Sequence, residues 1–112
     1  MNILEGISAP PVGDTQSRIA AQLGALAHPA RIQILQHISG CGACCCKDVV
    51  DRLDLAQSTV SQHLKVLVQA GLVQMGAEGQ RSRYEADRGA IAELSQAVGG
   101  LLATCCAPHR NE

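Results

Sequence analysis

Apolar residues recur along this chain at two spacings, three-to-four and two, and the changes between them mark out helices and one hairpin. In residues 14–27, Ile19, Leu23 and Leu26 stand at i, i+4 and i+7, and Asp14 or Thr15 can cap the start. Pro29 suits the first turn of a second helix over residues 29–38, with Ile32, Leu35 and Ile38 inward. Ser39-Gly40 and Gly42 interrupt that pattern. A short third helix, over about residues 44–53, presents Val49, Val50 and Leu53.

Residues 54–57 then turn into the most informative stretch, residues 58–70. On a helical wheel Val60, Leu64 and Leu67 fall on one face, and Ser58, Ser61, Gln62, Lys65 and Gln69 on the other. Gly71 stops this helix. Residues 72–75 read as a strand, Gly76-Ala77-Glu78-Gly79 as a turn, and residues 80–85 alternate like a returning strand. Asp87 can cap a last helix reaching about Thr104, with Ile91, Leu94, Val98, Leu101 and Leu102 inward; Pro108 ends it. Three helices, an outward-polar helix, a hairpin and a closing helix predict a mainly α winged helix-turn-helix. The apolar stripes of the first and last helices exceed what so small a core covers, which predicts a two-fold homodimer.

Composition sharpens this picture. At 112 residues the chain makes one domain. Residues 1–14, with Pro10 and Pro11 and no period, are expected as a flexible arm, residues 15–107 as the domain and 108–112 as a tail. Phe and Trp are absent and Tyr84 is the one aromatic, so the core is Leu, Ile, Val and Ala. That excludes modules that bind single strands by stacking bases on rings. Net charge is −1, but no carboxylate occurs between Leu55 and Ala77, where Lys65 sits on the polar face. Hydroxyls and amides can read base edges in a major groove, and Lys65, Arg81 and Arg83 can neutralise phosphates. No apolar run approaches a membrane span and no signal peptide is visible, so a cytoplasmic location is expected. In that compartment the six cysteines are expected as thiols or metal ligands rather than structural disulfides.

The runs ALAHPARIQIL, at residues 25–35, and AQSTVSQHLKVLVQAGLV, at residues 56–73, resemble the ArsR/SmtB family of metal-sensing repressors. With the hairpin, the resemblance covers about residues 15–104. It implies a homodimer that represses its own operon from a palindromic, double-stranded operator and leaves it when a metal or metalloid binds. Carried across residue by residue, the residues touching bases and backbone are Gln57, Ser58, Ser61 and Gln62; Thr59 and Lys65 of the same helix and Arg81 and Arg83 of the hairpin complete the expected DNA-binding set. His63 belongs to the family's His-Leu pair and reads as a packing residue.

The cysteines fall in two groups, Cys41 with Cys44–Cys46, and Cys105-Cys106. Thiolates select soft, thiophilic ions. The zinc-type site of the family is absent, because Asp87-Arg88-Gly89 lacks the histidine of its D-x-H pair. Against the three-thiol arsenite motif before the recognition helix, only Cys45 is in register. Cys105-Cys106 resembles the vicinal pair at the end of the last helix of other arsenite-responsive members. The resemblance therefore implies As(III), Sb(III) or methylarsenite as inducer, held by Cys105 and Cys106 with a third thiol from Cys44, Cys45 or Cys46.

Other readings stay open. A repressor of the same fold could sense persulfide or thiol redox state, although the second-helix cysteine of such relatives is Gln36 here. A Cd-, Zn- or Pb-responsive repressor and a small thiol protein rank lower. Cys41 and Cys44 have the C-x-x-C spacing of thiol oxidoreductases but follow a helix rather than a strand, and no nucleophile–base set accompanies them, so no enzyme is expected.

Overall fold

The computed structural model describes residues 13–109, so most of the expected arm and the end of the tail lie outside the described residues. The elements run α1 (Asp14–Ala25), α2 (Pro29–Cys41), β1 (Ala43–Cys45), α3 (Cys46–Leu53), α4 (Gln57–Gln69), β2 (Val73–Glu78), β3 (Arg81–Ala86) and α5 (Arg88–Cys106). The result is a winged helix-turn-helix whose sheet has three antiparallel strands in the order β1-β3-β2.

Local chemistry accounts for most boundaries. Gly13, not Asp14 or Thr15, caps α1, and its N–H donates to Gln16 Oε1 at 3.2 Å. His28 caps α2 by accepting from the Ala30 N–H at 3.1 Å, with Pro29 in the first turn. α2 then runs through the expected break at Ser39-Gly40 and stops at Gly42, where φ is +84°. One glycine inside a helix costs only about 1 kcal/mol, less than the burial of Ile38 in the preceding turn returns. Asp87 caps α5 as expected, its Oδ1 accepting from the Ala90 N–H at 3.0 Å.

Strand β1 is the main departure from expectation. Ala43, Cys44 and Cys45 do not begin a helix; they pair with Glu85, Tyr84 and Arg83 of β3. A three-residue strand is too short to show a period, and its ladder comes from residues forty positions away. The hairpin is also longer than expected. Gly76 and Ala77 stay in the ladder, and the reversal occurs at Gly79-Gln80, with Gly79 at φ +62°.

The buried core is Ile34, Ile38, Cys44, Val49, Val60, Leu64, Leu67, Leu72 and Val73, with Ala25, Ala86 and Leu94 around it. Val60, Leu64 and Leu67 are inward as expected. On α2 the inward pair is Ile34 and Ile38, spaced by four, while Ile32 is exposed. In α1, Gln22 is buried and donates to the Ala70 carbonyl at 3.1 Å, tying α1 to the end of α4. Gly71 ends α4 at φ +82°, its N–H on the Val68 carbonyl and the Leu72 N–H on that of Leu67.

α5 departs from expectation in two ways. Only Leu94 is buried; Ile91 and Val98 are half-buried, and Leu101 and Leu102 are 50% and 59% exposed. The helix is 19 residues long with an 18-residue window of mean hydropathy 1.3, long and apolar enough, by length and composition alone, to cross a bilayer. The sequence contains no unbroken apolar run of that length, because Glu93, Ser95 and Gln96 interrupt it.

His63 packs on His28 with ring centroids 4.6 Å apart, the boundary position expected for it. Burial, and then the charges of His28 and Arg31, lower its pKa from the ordinary 6.5. The unfolded chain thus binds a proton there that the folded chain resists. Stability should be full above pH 6.5 and fall as pH drops below that value, and His63→Gln should flatten the urea-midpoint profile in that window. At Gly71 a side chain must adopt left-handed backbone, so Gly71→Ala should cost about 1–2 kcal/mol in urea unfolding.

Candidate nucleic-acid interface and thiol clusters

α4 is held by one face and offers the other. Val60, Leu64 and Leu67 are fully buried, which leaves Gln57, Ser58, Ser61, Gln62 and Lys65 exposed and Thr59 half-buried. Asp54, at the left-handed C-cap of α3 (φ +54°), makes the turn that aims α4. Every residue of the expected base-reading set therefore lies on or beside one polar surface of a single helix.

The wing brings its two arginines to different situations. Arg81 makes no ion pair among the described residues and is exposed. Arg83 is engaged: Nη1 lies 3.1 Å from Glu78 Oε2, and Nη2 donates to the Ala43 carbonyl at 3.1 Å. The pair with Glu78 is solvent-exposed and worth at most about 1 kcal/mol, but the bond to Ala43 fastens the wing to β1. Arg83 thus positions the wing while keeping part of its guanidinium exposed.

A cleft of about 350 Å³ opens between the start of α3, the start of α4 and the wing. Its walls include Cys45, Cys46, Lys47, Ser61, Arg81 and Tyr84. Cys46 Sγ lies 3.6 Å from Ser61 Oγ, so a thiol touches a residue of the polar face expected to read bases. Burial, and then the neighbouring Cys46, raise the Tyr84 pKa above the ordinary 10.0. Asp48 closes the first turn of α3 by accepting from the Cys45 N–H at 3.2 Å, and this bond lowers its pKa. Lys47 was not among the residues expected here; its place beside Arg81 depends on β1 and could not be read from spacing.

The cysteines separate into three states. Cys105 and Cys106 are free thiols, exposed at the end of α5. Cys45 and Cys46 are free and half-buried at the start of α3. Cys41 and Cys44 are joined in a disulfide, against the expectation that all six would be thiols or ligands, so Cys44 is not a thiolate in this state. The cause is geometric: Gly42 turns the chain so that the last residue of α2 faces the middle residue of β1. His37, one turn before Cys41 on α2, is one of four scattered histidines that singly point to no ligand role. His37, Cys41 and Cys44 bring three ligand atoms within 4.8 Å of one another, the one such trio among the described residues. The spacing H-x3-C-x2-C was the available signal. No third thiol joins Cys105 and Cys106 within the described residues of one chain.

Residues 28–75 match the family model described as bacterial regulatory protein, arsR family. The chain is 32% identical to the biofilm growth-associated repressor of Agrobacterium fabrum, over 94% of this chain and 86% of that one. It is 31% identical to the arsenical resistance operon repressor of Bacillus subtilis, over 73% of each. Among solved structures, an ArsR-like transcriptional regulator from Rhodococcus superposes with a TM-score of 0.74 at 22% identity, covering 82% of this chain and 86% of that one.

The two arginines give a test of the surface. Arg81→Ala should weaken binding to double-stranded DNA about equally across sequences and lower the slope of log affinity against log salt by about 1. Arg83→Ala should weaken it too, and should also loosen the wing, seen as faster amide exchange in β1 and β3. Unchanged binding in both variants, measured by fluorescence anisotropy, would remove the wing from the interface.

Proposed function

The chain belongs to the arsR family of bacterial regulatory proteins, and on that premise we propose a homodimeric operator-binding repressor that a trivalent metalloid releases from DNA. It is a DNA-binding transcriptional repressor of that family and not an enzyme. A palindromic operator fits a two-fold dimer whose recognition helices enter successive major grooves, about 34–36 Å apart. The exposed leucines at 101 and 102 of α5 and Leu23 of α1 supply apolar surface for the second copy. We therefore read the apolar length of α5 as a dimer face rather than a membrane span, in a protein that works where its DNA is, in the cytoplasm.

One observation carries the reading: the Cys46 thiol lies against Ser61 on the base-reading face, so an effector held there acts directly on the DNA-binding helix. The donor set suits As(III), Sb(III) or methylarsenite, because the four free cysteines offer soft sulfur and Cys105 and Cys106 are reachable from solvent. We assign Cys105 and Cys106 as ligands, with a third thiol from Cys45 or Cys46 of the second copy, because none joins the pair within the described residues of one chain; Cys44, tied in its disulfide, is not among them. Binding that favours the DNA-free geometry by about 1–3 kcal/mol would lower operator affinity roughly 5- to 150-fold.

The Cys41–Cys44 disulfide favours a second reading, a repressor of the same fold that senses thiol state. Fluorescence anisotropy of the reduced protein on DNA from its own upstream region separates the two. Near-stoichiometric arsenite should release the DNA, and Cys105→Ser with Cys106→Ser should abolish that release. Binding that persists in arsenite but is lost on adding sulfane sulfur or peroxide would overturn the metalloid in favour of thiol-state sensing.

A further inference from the structure

We infer that His37, Cys41 and Cys44 form a site for a thiophilic divalent cation of the zinc class, open when the two cysteines are reduced and closed by their disulfide. This site is separate from the thiols assigned above to the metalloid. Successive side chains of a strand point to opposite faces. Cys44 accordingly turns into the core side of β1, while Cys45 lines the cleft by Ser61. Adjacent cysteines in the sequence thus serve different places in the fold.

Three observations support the site. His37 and Cys41 stand at i and i+4 on the last turns of α2, and Cys44 faces them from β1, with all three ligand atoms within 4.8 Å of one another. His37 Nε2 is buried with no hydrogen-bond partner, and such an orphaned ring nitrogen is costly unless something coordinates it. Beside the trio lies a hollow of about 350 Å³ whose walls include Asp48, Asp51 and Arg52, with room for a water or carboxylate as fourth ligand. Two thiolates and two carboxylates outweigh the one guanidinium, so a cation is electrostatically favoured there. One imidazole and two thiolates fit a tetrahedral ion with one further position, at metal–sulfur distances of about 2.3 Å.

The disulfide and the ion compete for the same two sulfurs. A dithiol reductant supplies two electrons and two protons to the Cys41–Cys44 bond and itself becomes a disulfide. The two thiols then surrender their protons to solvent as the cation binds. Either cross-link ties the end of α2 to β1, and Cys44 pairs with Tyr84 of the wing strand β3.

The test is anaerobic titration of the full chain with Co(II), as a zinc surrogate, after reduction. The expected result is about one equivalent bound in tetrahedral geometry, with thiolate-to-cobalt charge-transfer absorption that Zn(II) displaces. His37→Gln and Cys41→Ser, at a half-buried and an exposed position, should each lower affinity about tenfold or more. The Cys105→Ser/Cys106→Ser double variant should bind as the parent does, and protein with the disulfide intact should show no charge-transfer band. Independently of any variant, Zn(II) should slow alkylation of Cys41 in the reduced parent and leave Cys105 and Cys106 reactive. A missing band in the reduced parent, a band unaffected by His37→Gln and Cys41→Ser, or one lost in the terminal double variant would overturn the site.

Discussion

The burial of Val60, Leu64 and Leu67 is the constraint on which the rest of the molecule depends. In a core without Phe or Trp these three aliphatic side chains form the inward face of α4, among Ile34, Ile38, Val49 and Leu72. Each is worth roughly 1.5–3 kcal/mol of burial, so α4 cannot rotate without exposing several of them at once. A fixed rotation means a fixed outward face. Ser58, Ser61, Gln62 and Lys65 are therefore presented to solvent by the same packing that stabilises the domain.

The second organising element is β1, only three residues long. It joins the wing to the helices: Ala43, Cys44 and Cys45 pair with Glu85, Tyr84 and Arg83, and the Arg83 side chain donates to the Ala43 carbonyl. Sulfur on this strand and just after it lies close to the parts expected to meet DNA: Cys46, the first residue of α3, touches Ser61, and Cys44 pairs with Tyr84 of the wing strand. The coupling proposed above needs few charges and no aromatic stacking, only short covalent and hydrogen-bonded links between elements that already share a core.

α1 and α5 carry apolar surface that a single chain leaves uncovered. Leu94 reaches the core, whereas Leu23, Leu101 and Leu102 do not. Gln22 is the one buried polar side chain among the described residues, and its bond to the Ala70 carbonyl orients α1 without completing the apolar contact. A small aliphatic domain gains most from covering such surface with a second copy, as in the dimer proposed above.

What the sequence determined by itself is what depends on local periodicity and local chemistry. The stripe of α4, the Pro29 start, the Gly71 stop, the Asp87 cap and the alternating hairpin were all legible, because each needs only neighbours within a turn or two. So was the polar, carboxylate-free face, which follows once the buried stripe is known. The tertiary structure alone decided the rest. β1 exists because β3 offers it a ladder, and no three-residue pattern announces that. Which isoleucines of α2 are inward depends on where α3 and α4 lie, and Ile34 replaced Ile32 for that reason. The pairing of Cys41 with Cys44 beside His37, and the separation of Cys44 from Cys45, arise because a strand sends adjacent side chains to opposite faces. Composition could count the thiols; only the fold could assign them to partners.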